Sequence, residues 1–139
     1  MPAKTDDLST LSSIIDLSYA LLSGPAAHRR DWDRFRQLYI PGARLMPVVG
    51  GDHPHVRVLS VDDYIQRVEP IFAVEDFYER EVTREEHVTG RIAHVLSHYE
   101  SLRDPNGLPF ESGTNSMQLF FDDTRWWFVS TMWNTSRDR

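Results

Sequence analysis

The last fifty residues constrain the fold most. From Arg91 onward, three segments alternate apolar and polar side chains with a period of two: Arg91–Arg103, Gly113–Asp122 and Trp126–Asn134. That period marks strands with one face buried. Asp104-Pro105-Asn106-Gly107 separates the first two, and Asp122-Asp123-Thr124-Arg125 the last two. Both are turn chemistry, because Asp and Asn bond their own backbone while Pro and Gly supply turn dihedrals. A fourth, charged segment with the same period, Phe77–Glu86, precedes them and ends at the turn Val88-Thr89-Gly90.

The first half is patterned as helices. Leu8, Leu11, Ile15, Tyr19 and Leu22 recur at helical spacing. Asp6 or Asp7 is placed to cap that helix, and Ser23-Gly24-Pro25 ends it. A second helix is expected from Asp31, with Trp32, Phe35, Leu38 and Tyr39 on one side and Pro41-Gly42 as its stop. Ala43–Val49 reads as a strand, followed by a loop at Gly50-Gly51 and Pro54. Ser60 caps a third helix, Val61–Phe72, with Asp62 and Asp63 in its first turn. Residues 1–6 read as a loose tail. Helices first and a meandering sheet last is an α+β order, in which helices cover one face of a bent sheet and leave a cup.

A chain of 139 residues is expected to form one domain. Its formal net charge of −6 argues against a nucleic-acid surface, which needs clustered Lys and Arg. The pair Arg29-Arg30 is followed at once by Asp31 and Asp33 and reads as a solvated loop. With no cysteine, disulfides, thiolate nucleophiles and thiolate metal sites are excluded. Ser, Thr and Asp interrupt Leu8–Leu22, and no basic-then-apolar leader precedes it. A cytoplasmic protein with no membrane partner is expected.

The order of these landmarks resembles the nuclear transport factor 2-like superfamily, which includes ketosteroid isomerase, scytalone dehydratase and the SnoaL-like polyketide cyclases. The matching pieces are Tyr19, Asp31-x-x-x-Phe35, Pro41-Gly42-Ala43, Gly90-x-x-Ala93 and Arg125-Trp126. The resemblance runs from Leu8 to Trp133. It implies a cone-shaped half-barrel, with three N-terminal helices packed on a bent antiparallel or mixed sheet, and a homodimer packed through that sheet. It also implies that Tyr19 corresponds to the first-helix Tyr that donates to an oxyanion in ketosteroid isomerase, and that Trp133 closes the pocket. The isomerase's general base falls at Pro47 and its oxyanion-hole acid at Met117, neither of which can do that work. A base and an oxyanion donor each contribute on the order of 10²–10⁴ in rate, so the isomerase reaction itself is not expected.

His94 and His98 are the candidates for acid–base work, since imidazole titrates near neutrality. Strand alternation puts Ile92, His94, Leu96, His98 and Glu100 on one face and Ala93, Val95, Ser97 and Tyr99 on the other. The resemblance turns the histidine face into the cup; the alanine face also reads as buried. On a strand the two histidines are roughly 13 Å apart, too far for one metal. His53-Pro54-His55 beside Asp52 reads as a solvated loop, so neither a metal nor a cofactor is expected. Asn115 interrupts an apolar strand and either orients a ligand or bonds a neighbouring strand. Glu79-Arg80-Glu81 reads as a solvent face, with a carboxylate base in the cup as the alternative. Ligand-binding candidates are Tyr19, Trp32, Tyr39, Leu96, Asn115, Met117, Thr131 and Trp133, a set suited to a small apolar or polycyclic molecule. Three functions remain open: a small-molecule-binding domain, a cofactor-independent dehydratase, isomerase or cyclase using histidine, and a non-catalytic assembly module.

Overall fold

Thr10, not an aspartate, starts the first helix. In the computed structural model, which describes residues 7–136, the Thr10 hydroxyl accepts from the Ser13 amide at 3.1 Å and opens α1, Leu11–Leu22. Asp7 instead accepts from the Ser9 amide one turn earlier, and Asp6 lies outside the described residues, as does the expected tail. The buried stripe of α1 is Leu11, Ile14, Ile15, Ser18, Tyr19 and Leu22.

The second helix, α2, is shorter than expected, Trp32–Arg36, because the chain is already extended at Tyr39. Strand β1, Tyr39–Val49, contains Pro41-Gly42 as an irregularity instead of starting after it. Gly42 takes φ +82°, a value that suits glycine, and the register slips between Tyr39 and Arg44. A two-residue strand, β2, His55–Val56, pairs with the end of β1. Helix α3, Val61–Phe72, has the expected bounds, and Ser60 and Asp63 cap each other's backbone amides.

Four long strands follow: β3, Tyr78–Thr89; β4, Ile92–Leu102; β5, Glu111–Phe121; β6, Trp126–Thr135. Strand β3 runs through Val88 and Thr89 and turns at Gly90, later than expected, after a bulge between Glu81 and Thr83. The six-stranded order is β2-β1-β6-β5-β4-β3, with β1 parallel to β6 and the other pairs antiparallel. The fold is thus an α+β cone-shaped half-barrel on a mixed sheet, with the helices closing its concave side. Its core joins α1 to the inner sheet face through Ile14, Ile15, Phe35, Leu38, Val95, Leu119 and Phe128.

Arg30 corrects the reading of a solvated basic pair. It is buried, and its guanidinium donates to the carbonyls of Leu22, Gly24, Pro25, His28 and Phe77 at 2.9–3.3 Å while lying over the Phe72 ring. A fork of donors satisfies the Leu22 and His28 carbonyls, adds a second donor to those of Gly24, Pro25 and Phe77, and so knits the end of α1 to the start of β3. No helix among the described residues is long and apolar enough to cross a membrane.

Candidate functional site

The face of β4 that enters the cup carries Ala93, Val95, Ser97, Tyr99 and Ser101, all buried. This reverses the parity drawn from the resemblance. His94, Leu96, His98 and Glu100 stand on the outer face, half-buried. His94 shares a hydrogen bond with Gln118 at 3.0 Å, and His98 contacts Thr114 at 2.9 Å and Glu85 at 3.2 Å. Neither imidazole lines the cavity. The reason is burial: a one-residue offset flips every side chain, and the apolar alanine face gains more from the core than a face bearing His and Glu.

The cup holds a cavity of about 70 Å³, open at one end. Helix α1 contributes Ser18, Tyr19 and Leu22, and Phe35 lies beside them. The sheet contributes Tyr39, Leu45, Glu79, Tyr99, Asn115, Met117, Phe128, Thr131 and Trp133, and α3 adds Tyr64. Of the ligand-binding candidates, Tyr19, Tyr39, Asn115, Met117, Thr131 and Trp133 converge here. Trp32 does not; it packs against Phe35 and stacks on Phe72, at centroid distances of 5.6 and 6.3 Å. Leu96 lies on the outer face with the histidines.

Rings give the walls their shape. Tyr64 meets Trp133 edge-on at 5.7 Å and stacks on Phe35 at 5.9 Å. Tyr39 stacks on Phe128 at 5.2 Å. Such contacts fix side chains with few rotamers and keep the cavity from collapsing. Gly113 on β5 makes room for Tyr99: a Cβ there would sit 2.5 Å from the phenol oxygen. Trp126 and Trp127 point opposite ways, as adjacent strand residues must. Trp126 is buried against Phe121, while Trp127 lies under the Arg125 guanidinium at 3.5 Å and donates to Asp122 at 2.8 Å.

The polar end of the cavity is a chain of hydrogen bonds. Asn115 donates from its amide to the Tyr19 hydroxyl at 2.9 Å. That hydroxyl is 2.7 Å from Ser97 Oγ, and Ser97 donates to Glu81 Oε2 at 2.5 Å. Arg84 grips both Glu81 oxygens at 2.7–3.1 Å and also reaches Ser12, Asp16 and Glu86. Burial pushes the ionisation of Tyr19, Tyr39, Tyr64 and Tyr99 upward, so all four stay neutral phenols.

Glu79 is the acidic group of the cavity. It is half-buried, and its carboxyl is pushed up to about 7, chiefly by desolvation and further by the charge of Glu111. Ser101 donates to it at 3.3 Å and opposes that shift. Its position is fixed by α1: the Glu79 amide donates to Ser23 Oγ at 3.0 Å. Glu79 and Glu81 both point to the concave side, while Arg80 turns outward to pair with Glu100 at 2.9 Å. The run is therefore not the solvent face its composition suggests. Ser97, Tyr64 and Tyr99 also went unselected as site residues; the strand alternation around Val95 is the signal that could have found Ser97 and Tyr99.

No family model matches this chain, and no curated protein matches it. Solved structures do. A nuclear transport factor 2-like protein of unknown function from Silicibacter pomeroyi superposes with a TM-score of 0.61 at 16% identity, over 90% of this chain and 92% of that one. A cystatin-like-fold protein of unknown function from Nostoc punctiforme reaches 0.70 at 8% identity, over 94% and 96%. The beta subunit of the benzoate 1,2-dioxygenase of Burkholderia mallei reaches 0.70 at 15% identity, over 97% and 94%. These likenesses establish the nuclear transport factor 2-like fold; the chemistry rests on the residues of the cup.

Proposed function

We propose that this half-barrel binds a small, largely apolar molecule bearing a polar group. The observation that carries the reading is a cavity with aromatic walls that also carries the polar groups of Tyr19, Asn115 and Glu79. Ligand sites are built this way, with apolar lining for affinity and a few fixed polar groups for orientation. A cup serving only as an assembly module has no need of an open cavity or of a desolvated carboxyl. Titration with single-ring aromatic and alicyclic fragments, followed by ¹H–¹⁵N correlation spectra, tests this. The Trp133 indole and Asn115 side-chain amide resonances are expected to move. Shifts confined to the outward-facing Trp127, or none at all, overturn the reading.

A second reading, cofactor-independent proton transfer of the dehydratase, isomerase or cyclase kind, is favoured by Glu79. A carboxyl that titrates near 7 holds or releases a proton at neutral pH. It takes the place of the two histidines, which face outward. The partner we propose besides the ligand is a second copy of the chain, packed through the outer face of the sheet. There Ile92, Phe120 and Trp127 lie side by side across three strands, with Ile92 61% exposed. The dioxygenase beta subunit, an assembly component with this fold, lends support.

A further inference from the structure

We infer that the cup takes its ligand through a hydroxyl or N–H donor, with Tyr19 and Asn115 as hydrogen-bond acceptors, and that the Glu81–Arg84 ion pair outside the cavity imposes this polarity. The inference rests on the binding reading above and names the class of ligand that the same site selects.

The direction of every bond in the polar chain follows from its outer end. Arg84 Nε contacts both oxygens of Glu81, at 2.9 and 3.1 Å, and Nη2 contacts one of them at 2.7 Å. A carboxylate so held only accepts. Ser97 Oγ, 2.5 Å from Glu81 Oε2, must therefore spend its one proton there. A serine hydroxyl has no second proton, so the 2.7 Å contact with Tyr19 runs the other way, and Tyr19 donates to Ser97. Asn115 then supplies the complementary bond, its amide N–H donating to the Tyr19 oxygen at 2.9 Å.

Three consequences reach the cavity. The phenol proton of Tyr19 is committed to Ser97 and is not available to a ligand oxygen. One lone pair of Tyr19 stays open. The Asn115 amide turns its nitrogen toward Tyr19, and its Oδ1 makes no hydrogen bond to the described residues. Both open atoms accept. Tyr19 thus opposes the role that the resemblance implies for it, donation to an oxyanion. A ketone or enolate oxygen set against these two atoms meets lone pairs, whereas an alcohol, phenol or amine proton meets a partner. The groups facing Tyr19 from the packed elements are Ser97 and Tyr99 on β4, the Tyr99 ring 6.5 Å away, Asn115 on β5, and Glu79 and Glu81 on β3, and none donates to its open side.

Cyclohexanol and cyclohexanone are matched probes of this polarity. They are titrated by NMR at pH 8.5, where Glu79 is ionised and accepts as well. The wild-type protein is expected to bind cyclohexanol about tenfold more tightly than the ketone, the usual consequence of leaving buried acceptors unpaired. Ser97→Ala removes the acceptor that holds the phenol proton, so Tyr19 can turn it to the cavity. The alcohol-to-ketone ratio is then expected to fall at least about threefold, through a gain in ketone affinity. If Ser97→Ala does not fold, Glu81→Gln supplies the same test, since it removes the carboxylate that orders the chain. Equal or tighter binding of the ketone by the wild type, or an unchanged ratio in a folded variant, overturns the inference and leaves the binding reading standing. Binding of neither probe overturns both.

Discussion

Two charged residues, the half-buried Glu79 and the buried Arg30, decide how this chain responds to pH and substitution. Glu79 titrates at about 7 in the folded protein, above its ordinary 4.5. A raised carboxyl binds its proton more tightly when folded than when unfolded. Below pH 4.5 both states are protonated and Glu79 costs nothing. Between 4.5 and about 7 the unfolded chain releases the proton first, so stability falls with rising pH, by roughly 1.4 kcal/mol per unit, and levels off above. Glu79→Gln is expected to flatten this slope and leave the protein more stable than wild type at pH 8, as urea titrations across pH would measure. Arg30 works in the opposite sense: it makes five carbonyl contacts, and for Leu22 and His28 it is the donor that no apolar residue could replace. Arg30→Met is expected to cost about 3 kcal/mol in the same assay, with the carbonyls of Leu22 and His28 left without a donor and those of Gly24, Pro25 and Phe77 losing their second one.

At the scale of the element, β4 is where reading and structure part. Alternation along Ile92–Leu102 was plain in the sequence, but alternation alone does not say which set faces in. The concave side took Ala93, Val95, Ser97, Tyr99 and Ser101, and the convex side took both histidines. Val95→Ala is therefore expected to destabilise by about 2 kcal/mol, since Val95 is fully buried. His94→Ala is expected to change stability by less than about 0.5 kcal/mol, as outer-face substitutions do. Thermal unfolding of the two variants side by side decides it; a larger loss at His94 would restore the histidine face to the interior. Helix α3 contrasts with β4. Its bounds were legible because Ser60, Asp63 and the following apolar residues form a local signal that needs no partner strand. Helix α2 was overextended because Tyr39 pairs with Phe128, almost ninety positions away in the chain.

For the whole molecule, the sheet has two faces with different duties. The inner one, closed by helices, leaves the cavity. The outer one leaves Ile92, Phe120 and Met132 exposed beside the half-buried histidines. With the proposed homodimer, Ile92→Glu is expected to shift the sedimentation coefficient from dimer to monomer while the circular dichroism stays unchanged. A wild-type monomer at high concentration would end that part of the proposal. The same variant is expected to leave cyclohexanol binding unaltered, because Ile92 lies across the sheet from the cup.

The sequence alone determined the order of the helices and long strands, the Ser60–Asp63 cap of α3, the turns at 104–107 and 122–125, and the two periods, 3.6 and 2, because each is set by residues within a few positions of one another. It also excluded thiol chemistry outright. Only the tertiary structure decided which face of each strand looks into the cup, how far β1 and β3 extend, and which charges are buried. Those outcomes turn on contacts between residues far apart in the chain. Tyr19 meets Ser97 and Asn115, Arg30 meets Phe77, and Glu79 enters a shell of rings drawn from α3, β1 and β4. A charged run such as Glu79-Arg80-Glu81 reads as surface until the neighbours that desolvate one carboxyl and pair the other are in place.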